Sequence, residues 1–308
     1  MTDRRPRATD ASGILLGDLA AGTRVGDYTI NARLATHGNG NLYQATHLVL
    51  PRRATIKVLP ATGTATNPLA LELLREACIV EALDHPGVPR VYETGMLADR
   101  RPWVATELIE GRSVAETIAA RSIAIAEITV LIRDVADILD HAHSRGIVHR
   151  NVVPASIIVP AQPRRFPVCL VDWSGARAHD STNPIPMFAR SSTRAYLAPE
   201  QIAGRPADGR ADVYSLGVVA RELMRSAPQG TKPPVLVSMI RAMIDRDPAK
   251  RPSSDRVRET AAWLSTQTDS DGVPTPIDDH ATDPMPITSE LASTVAGSID
   301  PASPDPDA

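Results

Sequence analysis

Lys57, Asn151, Ser156 and Asp172 are polar side chains set in apolar text, the placement in which chemistry is first sought. Lys57 lies in Ala54-Thr55-Ile56-Lys57-Val58-Leu59, and Asp172 follows Cys169-Leu170-Val171. Asn151 and Ser156 flank Val152-Val153-Pro154-Ala155, just ahead of the apolar run Ile157-Ile158-Val159. A lysine presents a compact cation that a planar guanidinium does not reproduce. The chain has only three lysines, Lys57, Lys232 and Lys250, against 30 arginines, so a lysine inside this run is informative. Asn151 offers a neutral amide that cannot take up a proton at any relevant pH. Ser156 offers a short hydroxyl oxygen. Lys57 also has a plainer reading, a strand lysine with a solvated tip.

The elements that position these residues follow from hydrophobic period. Strand-like text begins at Tyr28-Thr29-Ile30 and continues in Leu42-Tyr43-Gln44-Ala45 and Thr55-Ile56-Lys57-Val58-Leu59. Between the first two lies Leu34-Ala35-Thr36-His37-Gly38-Asn39-Gly40, which alone reads as a Gly-containing hairpin turn. Residues 69–83 read as a helix, with Leu69, Leu71, Leu73, Leu74, Ala77, Cys78, Val80, Ala82 and Leu83 as its apolar face. Asp84-His85-Pro86 ends it, Val88-Pro89-Arg90-Val91-Tyr92 resumes a strand, and Trp103–Leu108 forms another. Helical text restarts at Val114, and a longer amphipathic run from Ile128 to Ser144 places Leu131, Val135, Ile138, Leu139 and Ala142 at helical spacing. A further helix is expected over Val235–Ile244.

Composition narrows the class. A chain of 308 residues can bury one substantial two-lobed core and still carry tails. The formal net charge of −3 is unevenly divided, because residues 266–308 hold nine acidic residues and no Lys or Arg. The remainder is mildly basic, but its only basic run is Arg4-Arg5-Pro6-Arg7, which argues against nucleic-acid binding. Cys78 and Cys169 sit in apolar patterns and are expected to be two buried thiols in a reducing compartment. No stretch reaches the roughly 18 apolar residues of a membrane span, and Ile14-Leu15-Leu16 is too short for a signal sequence. A cytoplasmic location is therefore expected. Residues 1–24 are expected to be a flexible arm, and residues 266–308, rich in Asp, Pro, Thr and Ser, a disordered acidic tail.

The run Ile147-Val148-His149-Arg150-Asn151-Val152-Val153-Pro154-Ala155-Ser156 resembles the catalytic loop of the protein kinases, which reads H-R-D, four residues, then Asn. His149, Arg150 and Pro154 match that loop. Ala54-Thr55-Ile56-Lys57 resembles the strand whose lysine holds nucleotide phosphates, and Glu76, 19 residues on, matches the glutamate of the family's helix αC. The Gly-containing turn resembles the nucleotide loop, with Ala35 and His37 replacing its first two glycines and only Gly40 matching the third. Thr106 stands at the gatekeeper position, and Glu107 enters the hinge. Asp172-Trp173-Ser174 resembles D-F-G: Asp172 keeps the carboxylate that binds magnesium in the family, Trp173 replaces the phenylalanine and Ser174 replaces the mobile glycine. Thr193-Arg194-Ala195-Tyr196-Leu197-Ala198-Pro199-Glu200 resembles T-x-x-Y-L-x-P-E, Asp212 opens the next long helix, and Arg251 closes the pattern as the ion-pair partner of Glu200. Seven motifs occur in family order. The resemblance covers about residues 25–265, in the style of bacterial Ser/Thr kinases.

The resemblance implies an α+β, two-lobed kinase fold: a small β-rich lobe over residues 25–109 and a helical lobe over residues 110–265. Asp212 to Arg251 spans 39 residues, too few for the family's usual helices, so helix αG is expected to be missing. Three catalytic-loop positions depart from the pattern. Asn151 replaces the base Asp, Val153 the Lys, and Ser156 the metal-binding Asn. Proton transfer contributes typically 10²–10⁴-fold to rate, so the chain reads as a pseudokinase, a signalling scaffold or regulator. The alternative is an active Ser/Thr kinase with displaced catalytic groups. ATP and Mg²⁺, the latter through Asp172, are the cofactors implied. The implied partners are proteins: an active Ser/Thr kinase, or a phosphothreonine-binding forkhead-associated module reading Thr266 or Thr275, each with Asp three residues on. Arg150 is expected to meet either a phosphorylated activation segment, where Ser181, Thr182, Ser191 and Ser192 are available, or nearby carbonyls.

Overall fold

A computed structural model of the chain describes residues 17–37, 40–60, 68–120, 123–178, 193–227 and 232–271. The first part is an antiparallel sheet built from β1 (Arg24–Val25), β2 (Tyr28–His37), β3 (Gly40–His47) and β4 (Arg53–Val58). Helix α1 (Pro68–Leu83) follows, then β5 (Val91–Met96) and β6 (Pro102–Glu107), giving the sheet order β1-β2-β3-β4-β6-β5. Alternation sorts its residues. Tyr43, Ala45, Ala54, Ile56 and Ala105 fill a core on one face with Tyr28, Ile30 and Trp103. On the other face Leu42, Lys57 and Val104 lie in register, as do Gln44, Thr55 and Thr106.

α1 packs on that second face through Leu73 and Ala77, against Leu59 and Val104. Its buried face is therefore narrower than its apolar composition suggests. Leu71, Leu74 and Cys78 point outward, with Leu71 62% exposed. The expectation of two buried thiols is corrected on this point. Cys169 is buried, and burial pushes its thiol up to about 12, whereas Cys78 is exposed.

The second part begins at β7 (Gly111–Ser113) and α2 (Val114–Ala120). Ser113 and Glu116 form a capping box: the Ser113 hydroxyl accepts from the Glu116 N–H, and the Glu116 carboxylate accepts from the Ser113 N–H. Helix α3 (Ile125–Ser144) buries Ile128, Leu131, Ile132, Val135, Ile138, Leu139 and Ala142 in the main core. Gly146, at φ +70°, turns the chain out of α3 into β8 (Ile147–Val148), a conformation that an L side chain resists. Then come β9 (Ile157–Pro160), β10 (Cys169–Leu170), β11 (Arg177–Ala178), α4 (Pro199–Ile202), α5 (Gly209–Ser226), α6 (Pro234–Met243) and α7 (Ser254–Asp271). Strands β8 and β11 pair, and β9 lies between β7 and β10, so the loops after β8 and β10 emerge side by side.

Among the described residues α6 is the one α-helix between α5 and α7, in keeping with the short interval. Two expected boundaries move. The arm expected over residues 1–24 is docked from residue 18, where the Asp18 carboxylate accepts from Arg33 at 2.7 Å and from Asn41 at 2.9 Å. At the other end α7 continues through Asp271, so residues 266–271 belong to a helix and not to the tail. Among the described residues no helix is long and apolar enough to cross a membrane.

Candidate functional site

The loop from His149 to Ser156 is held from beneath by Asp212, which is fully buried at the start of α5. Its two oxygens accept from the backbone N–H groups of His149 at 2.8 Å and Arg150 at 2.7 Å, while His143 Nε2 lies 2.9 Å away. Burial raises the Asp212 pKa, but the His143 hydrogen bond and charge and the His149 contacts outweigh it and leave it lowered. His149 is buried and stacks edge-on against Trp173, ring centroids 4.4 Å apart. Burial is the main reason its pKa is lowered.

Asn151 leaves this anchored loop and its Nδ2 donates to Asp172 Oδ2 at 2.8 Å. The other oxygen, Oδ1, accepts from Ser174 Oγ at 2.7 Å. Both oxygens of the carboxylate are thus engaged by neutral donors. Asp172 adopts a left-handed conformation (φ 62°), which Asp tolerates better than most residues, and leads into a 3-10 turn over Trp173–Gly175. Trp173 is buried and its Nε1–H donates to Leu170 O at 2.9 Å, so the turn is pinned by an indole where the family has a phenylalanine.

Ser156 does not face Asp172. Its hydroxyl donates to Val153 O at 2.9 Å and accepts from the Val153 N–H at 3.0 Å, which closes the 3-10 turn Pro154–Ser156. Val153 is buried and contributes no charge.

Opposite this loop, Lys57 Nζ and Glu76 Oε2 form an ion pair of 2.6 Å between β4 and α1. Burial lowers the Lys57 pKa, but Glu76 and then Asp172 outweigh it and leave it raised. The cation is firmly charged. Leu42, Thr55 and Thr106 are half-buried on the same sheet face. Glu107 is engaged elsewhere: its carboxylate pairs with Arg164 at 2.5 Å and 3.1 Å, and its N–H donates to Arg90 O.

Pairing of β2 with β3 continues to His37 opposite Gly40, with Ala35 opposite Leu42, so these positions lie in the ladder. Gly38 and Asn39 are outside the described residues, and so is the His37 side chain. A Cβ on Gly40 would run into Val58 O, which explains this glycine without a nucleotide.

Glu200 and Arg251 meet as expected, in a buried bidentate pair of 2.7 Å and 2.9 Å. Thr193 starts the 3-10 turn that leads to α4, where its carbonyl accepts from the Tyr196 N–H at 3.1 Å. Arg150 is buried and its Nη2 lies 3.5 Å from Ala207 O, the carbonyl contact that was one of its two expected roles. The activation-segment hydroxyls Ser181, Thr182, Ser191 and Ser192 lie outside the described residues, as does Thr275. Thr266 is inside α7, its hydroxyl bonded to Trp263 O, so it is not part of a loose tail.

Sequence reading missed two contacts that shape the site. One is Ser174 as a donor to Asp172, although an Asp-x-Ser spacing suits a local side-chain hydrogen bond. The other is Glu72, one helical turn before Glu76, which pairs with the buried Arg177 at 2.6 Å and ties α1 to β11.

The family's two cofactors fit unequally. Mg²⁺ needs oxygen ligands in near-octahedral order at about 2.0–2.1 Å. Here each Asp172 oxygen accepts a hydrogen bond from a fixed neutral donor, and Ser156 is turned into its own loop, so the second side-chain oxygen that would accompany Asp172 is absent from the site. The residues do not fit the metal. Lys57 fits a phosphate.

Comparison with known proteins agrees with this frame. Residues 28–232 match the family described as Protein kinase domain. The chain is 32% identical over 249 residues to the serine/threonine-protein kinase PknJ of Mycobacterium tuberculosis, covering 80% of this chain and 42% of that protein. To PknF of the same organism it is 33% identical over 228 residues, 71% of this chain and 48% of the relative. The chain therefore spans less than half the length of these two curated relatives. A crystal structure of the M. tuberculosis PknI kinase domain superposes with a TM-score of 0.61 at 27% identity, over 83% of this chain and all of that one.

Proposed function

The chain belongs to the protein kinase family, and from that premise we propose that it is a pseudokinase, a cytoplasmic scaffold or regulator that binds protein partners and does not transfer phosphate. The observation that carries this reading is the Asn151 amide donating to Asp172 at 2.8 Å. A kinase needs at that position a carboxylate that accepts the proton of the substrate hydroxyl. An amide in donor orientation does the reverse: it gives a hydrogen bond and accepts no proton. Val153 adds to the deficit, since it supplies no cation beside the transferred group. These parts act as a unit, so their losses do not simply add.

A second reading is supported by the Lys57–Glu76 pair at 2.6 Å, the arrangement an active kinase requires. In that reading the chain is an active Ser/Thr kinase with displaced catalytic groups. The pair also has a structural use, because it ties α1 to the sheet. Transfer of labelled γ-phosphate from ATP to the chain itself and to generic protein substrates separates the two. The expected result is incorporation no higher than in Lys57→Ala. Incorporation that disappears in both Lys57→Ala and Asp172→Asn would establish the active enzyme. Asn151→Asp alone is expected to restore no useful activity, since Val153 and Ser156 remain.

A further inference from the structure

We propose that the cleft between β4 and the Asn151 loop takes a nucleotide without a divalent cation, Lys57 meeting its phosphates while Asp172 serves as an internal hydrogen-bond acceptor. The proposal rests on the pseudokinase reading and sharpens it to a ligand of stated chemistry. A metal-loaded site would need Asp172 to turn at least one oxygen toward the cation. Here Oδ2 is held by Asn151 and Oδ1 by Ser174, at 2.8 Å and 2.7 Å.

Neither donor is loosely placed. Asn151 follows two residues whose N–H groups are fixed by the buried Asp212, its own N–H donates to His149 Nδ1 at 3.2 Å, and its carbonyl accepts from Ser156 Oγ at 3.3 Å. Ser174 sits in the turn closed by the Ala176 N–H to Trp173 O bond of 2.9 Å and pinned by the buried Trp173. Freeing Asp172 would break a hydrogen bond to a charged acceptor, which is stronger than a neutral one. The second oxygen a metal would need is also missing, because Ser156 is buried and satisfied within its own turn.

What remains for the ligand is a half-buried cation and a wall. Lys57 is 13% exposed and its charge is balanced by Glu76. The half-buried Leu42, Thr55 and Thr106 extend the same face toward the end of β6. Without a metal between them, Asp172 and a phosphate are like charges and repel. The role of Asp172 is thereby inverted. In a metal site it attracts nucleotide through the cation, and in this site it opposes nucleotide.

That inversion supplies the test. Nucleotide affinity is measured by calorimetry on the full chain with ATP, once in EDTA and once in excess Mg²⁺, for wild type, Lys57→Met and Asp172→Asn. The expected result is binding in EDTA that Mg²⁺ does not strengthen, loss of that binding in Lys57→Met, and binding about tenfold tighter in Asp172→Asn. Tightening by Mg²⁺ of about tenfold or more, or absence of binding in EDTA, overturns the inference. The comparison of wild type in the two buffers decides this even if a variant does not fold. Phosphate transfer in the same Mg²⁺ sample would bring down the pseudokinase reading. Magnesium-dependent binding without transfer would bring down only the inference drawn here.

Discussion

Two carboxylate junctions in this molecule differ in what faces them. Glu200 meets the guanidinium of Arg251 in a buried bidentate pair. Arg251 also stacks over Tyr214 at 4.8 Å and donates to the carbonyls of Asp245 and Arg210. Asp172 meets an amide and a hydroxyl, both neutral and both part of short loops. The first junction keeps the charges of its family and closes the lower part of the fold. The second keeps its carboxylate and the charge of Lys57 close enough to act on it, but takes its hydrogen bonds from Asn151 and Ser174. The contrast teaches that the skeleton of a kinase and its chemistry are separable. The Glu200–Arg251 pair is retained where its removal would strand a buried charge, while Asn151 and Ser174, which differ from the family pattern, form contacts of their own with Asp172.

The sharpest way to break the comparison is to remove one partner from each junction. Arg251→Ala leaves Glu200 buried and unpaired and is expected to destabilise the chain by about 3–5 kcal/mol in urea unfolding. Asn151→Ala leaves a partly exposed Asp172 that retains Ser174 and gains water, and the expected loss is about 0.5–1.5 kcal/mol. Equal losses would show that the two junctions carry equal structural weight.

Asn151→Asp sharpens the electrostatic side. It places a second carboxylate at the 2.8 Å contact with Asp172, where both cannot ionise freely. The pair then holds a proton more tightly in the folded than in the unfolded state, so stability should fall as pH rises through the raised pKa and recover on acidification. Each unit of that shift corresponds to about 1.4 kcal/mol. A variant that shows no pH dependence beyond wild type would mean that residue 151 turns away from Asp172.

Ser174→Gly tests the smaller contact. It removes one hydrogen bond to Asp172 and restores backbone freedom to the turn, with an expected loss of about 1 kcal/mol. Unchanged stability together with stronger Mg²⁺ dependence of nucleotide binding would identify Ser174 as a block to metal and not as a support for the turn.

The smallest effect is expected at His85, away from both junctions, where burial first and the His141 charge next lower its pKa. Its ring lies 3.4 Å from Asp137 and stacks against His141 and Phe166. Because the folded pKa is depressed, His85 supports stability above the ordinary histidine value of about 6.5 and withdraws that support as pH falls through the folded value. Thermal melts of His85→Asn should match wild type in their pH slope above that window and show a flatter decline within it. Identical slopes throughout would remove His85 as a contributor.

The sequence by itself determined the order of elements and the residue types of the catalytic loop, with Asn151, Val153 and Ser156 at its three polar positions. Alternation in β3 and β4 and the helical spacing of α3 are local patterns, read directly from residue types. That Asn151 cannot accept a proton is likewise a property of the side chain wherever it points. Position along α1 was not legible in the same way. Nine apolar residues allowed a broad face, and only packing against Leu59 and Val104 selected Leu73 and Ala77 while leaving Leu71, Leu74 and Cys78 outside. The Asn151 donor on Asp172, the Glu72–Arg177 pair and the Arg164 grip on Glu107 were decided by tertiary structure, whereas the Ser174 and Ser156 hydroxyls bond within two or three residues of themselves. Most of these contacts join residues 21 to 105 positions apart. Which groups meet across such distances depends on how the elements pack and which rotamers that packing allows, and composition, period and spacing carry no record of it.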